Sequence, residues 1–557
     1  MANKKNIEEI ETIEEVEEEL FTKSKKLPLL INIFKKIKEK DNKIIINSMC
    51  LIKIFGEKNY DLNKIKIEIN NKEYDVIFKL KKSIKFIKGY VINFYQIELP
   101  LEDTLVADIQ NKIIVKYKDF DKGRILYSAI DLKKGKNKNS KAFFYNNRSI
   151  YLRQTPKNTM YLTVREISPY DYTNNKIKLR IGYILSKIML KKDFVLLYEK
   201  ESERYEESAS VVYEKLINMG YKNVYYIINK DNPALTKIDE KYKKNILYKN
   251  SLKHIAYFFK CKKFVGTESL GHAIQLRAGN KLIADKINAK DLMYVFLQHG
   301  VMYMVSLSSD LRTGFKKMPI KLHKIVTSSE EEANHFVELG GFDKDDLYVC
   351  GLPKFDTAVR NKNADKIVIM PTWRRWEANL ASSNYEETKY YKMIQRIVNA
   401  IPKKIQEKII ILPHPLMLKE IKNNKDYKNY IPEGDFTYDE ILKECKLLIT
   451  DYSSIAYDAY YRGSNVIFYW EEKEECMKEY GENAKLMLNE QNVFADVCYN
   501  EKELAKIVEK NYNNKQSISN KKKFKKIVQF DDNKNTERLI KMLIDDKVIN
   551  ERSEHNE

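Results

Sequence analysis

The fold is decided by Lys446–Glu472, which reads KLLITDYSSIAYDAYYRGSNVIFYWEE. Leu447–Thr450 is an apolar run of the length typical of a strand buried on both faces. A polar turn follows, then apolar residues at helical spacing, and Val466–Tyr469 predicts a second strand after Gly463. Strand, turn, helix and strand make one unit of a parallel α/β sheet, in which the turn lies at the sheet's carboxyl edge.

The strand ends at Thr450, and the turn carries Asp451, Ser453 and Ser454. The two serines offer hydroxyls beside the unpaired N–H groups of a helix start, and this arrangement binds phosphate groups. The alternative is that one serine simply caps the helix, which is the commonest role of a serine at that position.

Further strands alternate with helical patterns on either side of this unit. We predict two Rossmann-type domains in tandem, residues 173–364 and residues 365–557, the second ending in helices, with the substrate cleft between them. The predicted strands are 194–198, 224–228, 263–265, 293–297, 324–326 and 347–349 in the first domain, and 366–370, 408–412, 447–450 and 466–469 in the second.

Residues 1–172 have a different sequence pattern from the two α/β domains. Residues 43–172 contain short strand-like runs separated by turn residues, which predicts an antiparallel β-sandwich-like or barrel-like accessory domain. Residues 1–42 are strongly charged and are expected to be helical. Their basic part, Lys23–Lys40, is amphipathic, so it fits either a membrane surface or packing on its own protein.

Composition narrows the range of functions. The 557 residues have a formal net charge of +21, but Lys far outnumbers Arg and no nucleic-acid-binding module is recognisable, so nucleic acid is not an expected partner. An anionic membrane surface or a polyanionic substrate fits this charge better. The six cysteines are scattered without metal-binding spacing, which favours a reducing cytosol, and no apolar run approaches the roughly 18 residues of a membrane span.

Two histidines follow predicted strands. His299 precedes Gly300, whose lack of a side chain lets the backbone approach a ligand, and an imidazole there is well placed as a general base. His414 lies between Pro413 and Pro415, which restrict the backbone and aim the ring, so that its N–H suits a phosphoryl oxygen. For each the alternative is an ordinary loop histidine: one satisfied by a carbonyl at 299, and one held incidentally in a rigid loop at 414.

Cationic groups follow two other strands. Thr372 and the guanidinium groups of Arg374 and Arg375, after Pro371, are suited to hold a pyrophosphate, and Lys354 adds a point charge. Solvated charges on ordinary loops are the alternative. We find no Walker A motif, no GxGxxG after a strand, no GxSxG elbow and no carboxylate pair for a divalent metal, so cationic side chains are expected to neutralise phosphate charge.

As an ordered set, these motifs resemble those of the CDP-glycerol glycerophosphotransferases. The resemblance covers roughly residues 175–530. It rests on His299-Gly300, the turn Gly351–Asp356, the loop Pro371–Arg374, His414-Pro415 and the stretch ITDYSSIAYDA followed by IFY.

The resemblance implies a GT-B fold that moves glycerol phosphate or ribitol phosphate from a CDP-activated donor to a hydroxyl acceptor, releasing CMP. The product would be a teichoic-acid-like or capsular polymer, the acceptor a polyol phosphate or lipid-linked saccharide, and no cofactor beyond the donor substrate is implied. The family is typically cytoplasmic and peripheral at the inner face of the membrane.

The resemblance assigns roles to the residues that match the family's motifs. The resemblance makes His299 the base that deprotonates the acceptor hydroxyl, and makes His414 its catalytic partner at the pyrophosphate with Thr372, Arg374, Ser453 and Ser454. Asp458 would bind hydroxyls of the polyol or ribose. The implied substrate-binding set is Gly300, Lys354, Pro371, Thr372, Arg374, Pro415, Thr450, Asp451, Ser453, Ser454 and Asp458.

Departures from the family pattern leave the polyol open. Val301–Met304 replaces the usual residues after His-Gly, and Lys354 stands where Arg is usual. Two other functions remain as alternatives: a GT-B glycosyltransferase with a nucleotide-sugar donor, and a non-catalytic polyanion-binding protein.

Overall fold

A computed structural model gives the structure of the chain. It describes residues 29–53, 65–69, 72–74, 77–85, 91–101, 110–117, 124–127, 138–146, 148–154, 159–190, 193–275, 280–307, 316–377, 380, 384–413, 427–432, 434 and 436–551. The chain divides into two compact units, Met1–Tyr172 and Thr173–Glu557.

The first unit is built from short strands. They are β1 (Leu29–Lys40), β2 (Lys43–Lys53), β3 (Ile65–Ile69), β4 (Lys72–Tyr74), β5 (Ile77–Lys85), β6 (Val91–Pro100), β7 (Gln110–Tyr117), β8 (Arg124–Tyr127), β9 (Lys138–Asn139), β10 (Phe143–Tyr145), β11 (Arg148–Gln154) and β12 (Met160–Glu166). One sheet has the order β5-β6-β2-β1-β8, and the other has the order β10-β11-β12-β7-β3-β4 with β9 beside β11. Neighbouring strands described in these sheets pair antiparallel, except β1 and β8, which are parallel.

Both sheets of this unit contribute to one buried cluster. Phe34 and Ile97 come from the first sheet, and Ile113 and Leu162 come from the second. Alternate residues of a strand point to the same face, so each sheet turns one apolar face into this core.

The predicted helical segment 1–42 is wrong for its last part, because Leu29–Lys40 is strand β1, paired with β2. The register of that pairing shifts between Phe34 and Lys36, which marks a β-bulge. Phe34 and Ile37 are both buried although they are three residues apart. A spacing of three is also that of a helix face, and this explains the error. Residues 1–28 lie outside the described part of the chain.

The second unit begins with a seven-stranded parallel sheet in the order β15-β14-β13-β16-β17-β18-β19. Its strands are β13 (Val195–Tyr198), β14 (Val224–Ile228), β15 (Ile246–Tyr248), β16 (Lys263–Gly266), β17 (Met293–Phe296), β18 (Leu322–Thr327) and β19 (Leu347–Val349). The helices are α1 (Thr173–Ile188), α2 (Ser208–Asn218), α3 (Glu240–Lys243), α4 (Leu252–Lys260), α5 (Lys281–Ile287) and α6 (Glu330–Gly340).

A five-stranded parallel sheet follows, in the order β21-β20-β22-β23-β24. Its strands are β20 (Lys366–Ile369), β21 (Ile409–Ile411), β22 (Cys445–Thr450), β23 (Asn465–Tyr469) and β24 (Asp496–Cys498). The helices are α7 (Lys389–Ala400), α8 (Tyr438–Glu444), α9 (Ile455–Tyr461), α10 (Lys473–Glu479), α11 (Glu501–Asn513), α12 (Ile518–Ile527) and α13 (Asn535–Asp545). Every residue of β13, β14 and β17 is buried, as the apolar runs predict, and the α/β class with parallel sheets is confirmed.

Short 3-10 turns complete the connections. They are Pro169–Asp171, Lys200–Ser202, Pro233–Thr236, Leu270–Ala273, Lys344–Asp346, Pro353–Thr357, Arg375–Glu377, Tyr385–Glu387, Lys403–Lys408 and Lys428–Tyr430. Among the helices that the structure describes, none has the length and apolar character needed to cross a bilayer.

The last two helices return to the first sheet of the second unit. The Ser328 hydroxyl donates to the carbonyl of Ile527 at 2.7 Å, and the Arg538 Nε donates to the carbonyl of Cys350 at 3.0 Å. The prediction assigns residues 365–557 to the second domain, and these contacts join the end of that stretch to the loops after β18 and β19. Helical periodicity shows that a face is apolar but not which sheet it covers.

Candidate functional site

Loops at the carboxyl edges of the two parallel sheets meet one another. Gly300 follows β17, and a Cβ atom added there would stand 3.0 Å from the Oγ of Ser454, at the start of α9. The Nζ of Lys354 lies 2.5 Å from the Oδ1 of Asp458 on α9. The structure therefore brings together five of the predicted residues, His299, Gly300, Lys354, Ser454 and Asp458, although they come from separate strand ends.

His299 is presented toward solvent by a fixed backbone. Gln298 is buried in a positive-φ conformation (φ 61°), and its side-chain amide donates to the carbonyl of Val326 at 2.6 Å. Lys354 Nζ donates to the carbonyl of His299 at 2.9 Å. The imidazole is 45% exposed, with its Nδ1 3.6 Å from Oε1 of Glu268. An anchored backbone with an accessible ring is what a general base requires.

Lys354 and Asp458 neutralise each other. Their side chains are only 13% and 10% exposed. Lys354 belongs to the 3-10 turn Pro353–Thr357, so the pair joins that turn to α9. The structure thus shows Lys354 as half of an ion pair rather than as an isolated point charge for phosphate.

The rest of the Gly351–Asp356 motif anchors the last helix. The Asp356 carboxylate accepts from the backbone N–H groups of Asn535 (2.9 Å) and Thr536 (2.7 Å), at the start of α13. Gly351 has a φ of +82°, and a Cβ atom there would stand 2.3 Å from Oδ1 of Asn535. The glycine and the aspartate of this motif therefore have an architectural role.

Arg374 is an interior residue. Its side chain is 1% exposed, and its guanidinium donates to Asp451 (2.7 Å), Glu472 (2.9 Å) and the carbonyl of Thr372 (2.6 Å). Burial alone would lower the pKa of Arg374, but the two carboxylates raise it well above its ordinary value. The predicted direct contact between Arg374 and a pyrophosphate is not supported by this geometry.

Asp451 connects the loops after β20 and β22. It is fully buried, and its Oδ1 accepts from the backbone N–H groups of Thr372 (2.8 Å) and Tyr452 (2.5 Å). The Thr450 hydroxyl donates to the carbonyl of Met370 at 2.6 Å. Thr450 and Asp451 were predicted to bind substrate, but the structure shows them bracing these two loops from inside.

Three hydroxyl groups lie in these loops, and one of them, the Oγ1 of Thr372, is buried. The Oγ1 of Thr372, after the buried Pro371, has no hydrogen-bond partner within the described ranges. Ser454 occupies the N-cap position of α9 without a side-chain capping bond, and Ser453 Oγ accepts only a long bond, 3.4 Å, from the N–H of Ile455. The structure therefore gives little support to the capping alternative for Ser454.

A cleft of about 960 Å³ opens beside this site. It lies between α2 with the loops after β13 and β14 on one side and residues 436–443 on the other. Asp356 and Thr357, from the turn that carries Lys354, line it together with Pro413. His414 and Pro415, which follow Pro413, lie outside the described residues.

Two residues near His299 escaped the sequence analysis. Glu268 follows β16, the strand beside β17, and its carboxylate lies between His299 and His272, whose Nε2 is 3.8 Å away. Burial raises the pKa of Glu268 to about 7, and the charge of Glu207 adds to the shift. The signal was available, because Thr267-Glu268 is a polar pair at a strand end like the others. Across the described part of the chain, no group of three or more His, Cys, Asp or Glu side chains is arranged to hold a metal ion.

The two parallel sheets, with polar loops at their carboxyl edges, define an α/β protein with a candidate ligand site, and comparison with known proteins names the family. A sequence model described as CDP-glycerol:poly(glycerophosphate) glycerophosphotransferase matches residues 180–545. This is more than half of the chain, so the chain belongs to that family. The predicted family is confirmed, and it is a family of transferases.

Two similar proteins place the match in context. The minor teichoic acid biosynthesis protein GgaB of Bacillus subtilis (strain 168) is 24% identical over 364 residues, which are 59% of this chain and 39% of GgaB. The chain thus spans less than half the length of that relative. A solved structure of the wall teichoic acid polymerase TagF is 15% identical, with a TM-score of 0.47, and the alignment covers 68% of this chain and 98% of the TagF chain.

Proposed function

We propose that this chain transfers glycerol phosphate or ribitol phosphate from a CDP-activated donor to a hydroxyl acceptor, releasing CMP. The observation that carries the proposal is the family match over residues 180–545, which spans both strand-edge loops of the site. The similarity to a teichoic acid biosynthesis protein supports a teichoic-acid-like or capsular polymer as the product. Polyol phosphates or lipid-linked saccharides are the proposed acceptors.

In the proposed reaction, Nε2 of His299 takes the proton of the acceptor hydroxyl. The acceptor oxygen attacks the phosphorus that carries the polyol, and the bond from that phosphorus to the bridging oxygen breaks, so that CMP leaves with the electron pair. Hydroxyls of Thr372, Ser453 and Ser454, with His414, hold the pyrophosphate. Arg374 contributes indirectly, by holding Asp451 and hence the backbone of Thr372.

The same proposal covers the domain architecture of the chain. The two parallel sheets make a GT-B pair, and the two antiparallel layers before them make an accessory β-sandwich. Within that pair, residues 173–364 supply the acceptor side with His299, and residues 365–557 supply the donor side. The net charge of +21 supports peripheral binding to an anionic membrane from the cytoplasmic face.

The test is the release of CMP. Purified protein is incubated with CDP-glycerol or CDP-ribitol and a polyol-phosphate acceptor, alongside His299→Ala. We expect CMP from one donor and a loss of about 100-fold or more in the variant, since general-base catalysis typically contributes that much. The variant's thermal midpoint should match the parent's, because the ring is 45% exposed.

Two other outcomes would overturn the proposal. Release of a nucleoside diphosphate from a panel of sugar nucleotides would make the protein a glycosyltransferase. No release from any donor, with the acceptor verified on another enzyme, would favour the non-catalytic polyanion-binding protein.

A further inference from the structure

The carboxylate of Glu268 lies between two imidazoles. Its Oε1 is 3.6 Å from Nδ1 of His299, and its Oε2 is 3.8 Å from Nε2 of His272. The side chain is 20% exposed, so the carboxylate is largely screened from water. A carboxylate beside Nδ1 can orient an imidazole so that its Nε2 serves as the base.

The backbone of Glu268 is held by two tyrosines. The hydroxyls of Tyr198 and Tyr294 donate to its carbonyl oxygen at 2.9 Å and 2.7 Å. Burial raises the pKa of both tyrosines, so both hydroxyls stay protonated donors. These tyrosines come from β13 and β17, the neighbours of β16, and Glu268 is therefore fixed to the centre of the sheet.

His272 faces Glu268 with a defined tautomer. The N–H of Glu201 donates to Nδ1 of His272 at 3.0 Å, so the neutral ring carries its proton on Nε2, the nitrogen nearer Glu268. The Ser202 hydroxyl donates to the carbonyl of His272 at 3.0 Å. Glu201 and Ser202 both have positive φ, 52° and 56°, a costly conformation that places these two donors on His272.

We propose that Glu268 is a positioning residue for His299, accepting the Nδ1–H and stabilising the imidazolium that forms when Nε2 takes the acceptor proton. The inference rests on the proposed function. The distance of 3.6 Å is slightly longer than a hydrogen bond, and such bonds commonly shorten when substrate binds. The arrangement follows the general rule that a base is oriented by a third group.

Other charges act on the same carboxylate. Glu201 and Glu207 oppose its ionisation, and Lys200 and Arg204 favour it, besides the two histidines. With a pKa of about 7, raised first by burial, Glu268 ionises close to neutral pH. Because this carboxylate lies beside the ring of His299, its ionisation changes the charge next to that ring near neutral pH.

The experiment compares Glu268→Gln and Glu268→Ala with the parent in CMP release, with Glu331→Gln as the matched control. Glu331 is an exposed residue on α6 whose carboxylate accepts from the Tyr303 hydroxyl, and Gln retains that acceptor. We expect kcat to fall about 10- to 100-fold for Glu268→Gln and further for Glu268→Ala, while KM for the donor changes little. The acid limb of the kcat profile should move to lower pH, because loss of the negative charge lowers the pKa of His299.

A second measurement does not depend on catalysis. The pKa of His299 is followed by NMR in protein labelled at histidine, with the signal assigned through His299→Ala. A lower pKa in Glu268→Gln than in the parent supports the pairing, even if no donor yields CMP and the proposed function fails. If the parent releases CMP and neither kcat nor the pKa of His299 changes in Glu268→Gln, the positioning role is overturned and the proposed function stands.

Discussion

Arg374 and Asp451 form an ion pair with almost no access to water, since each side chain is 1% exposed. Removal of one partner from a buried pair leaves the other charge uncompensated. Met replaces the arginine with a side chain of similar reach but no charge, so Asp451 would keep only its backbone donors. We expect Arg374→Met to lower the free energy of unfolding by about 3–5 kcal/mol, measured as a shift in urea or thermal midpoint.

The matched control for that prediction is Arg396→Met. Arg396 pairs with Glu471 at 2.7 Å, but the side chains are 34% and 23% exposed. A pair this accessible is worth about 1 kcal/mol or less, so the control should unfold close to the parent. If the two variants have the same unfolding midpoint, the ion pair between Arg374 and Asp451 does not stabilise the fold.

At the scale of single elements, the last helix depends on one carboxylate. Asp356 accepts the N–H groups of Asn535 and Thr536 and so caps α13 from the 3-10 turn that also carries Lys354. We expect Asp356→Ala to cost about 1 kcal/mol and to speed hydrogen exchange in α13 selectively. Glu537→Gln, in the same helix, removes only an exposed ion pair with Lys215 and should leave exchange unchanged. If hydrogen exchange in α13 is no faster in Asp356→Ala than in Glu537→Gln, Asp356 does not cap this helix.

Elements buried on both faces were the most predictable from sequence. The predicted strands of the second unit are all present, because apolar runs such as Val224–Ile228 leave few alternatives. The sequence pattern does not reveal β15 and β24, which have three residues each and lie at sheet edges, where less apolar sequence is needed. The sequence pattern also predicts a helix where β1 lies, because a bulge places buried residues of this strand three apart, as on a helix face.

The position of the candidate site was predictable from the sequence, but the ion pairs within it were not. The rule that ligands bind at strand carboxyl ends selected His299, Ser454 and Thr372. It did not show that Lys354 would pair with Asp458, because those residues come from different sheets and only the packing of the two brings them together. The burial of Arg374 could not be predicted from the sequence for the same reason.

At the scale of the whole second unit, backbone bonds tie its two sheets together. The N–H of Ser306 donates to the carbonyl of Lys485, and that of Met487 to the carbonyl of Met304, each at 2.8 Å. The hydroxyl of Tyr457 donates to the carbonyl of Tyr303 at 2.7 Å. The segment after His299-Gly300 is thereby fastened to the half of the unit that carries Ser454.

The two units of the chain should therefore behave as separate folding units. Within the described ranges, the cluster with Val195 and the cluster with Ile367 consist of residues of the second unit, and the cluster with Phe34 consists of residues of the β-rich unit. The family match, residues 180–545, also lies wholly within the second unit. We expect a fragment of residues 173–557 to unfold cooperatively in calorimetry and to release CMP at the rate of the full chain with a soluble acceptor. A fragment that unfolds without a transition, or that folds but releases no CMP where the full chain does, would show that the β-rich unit completes the core or the site.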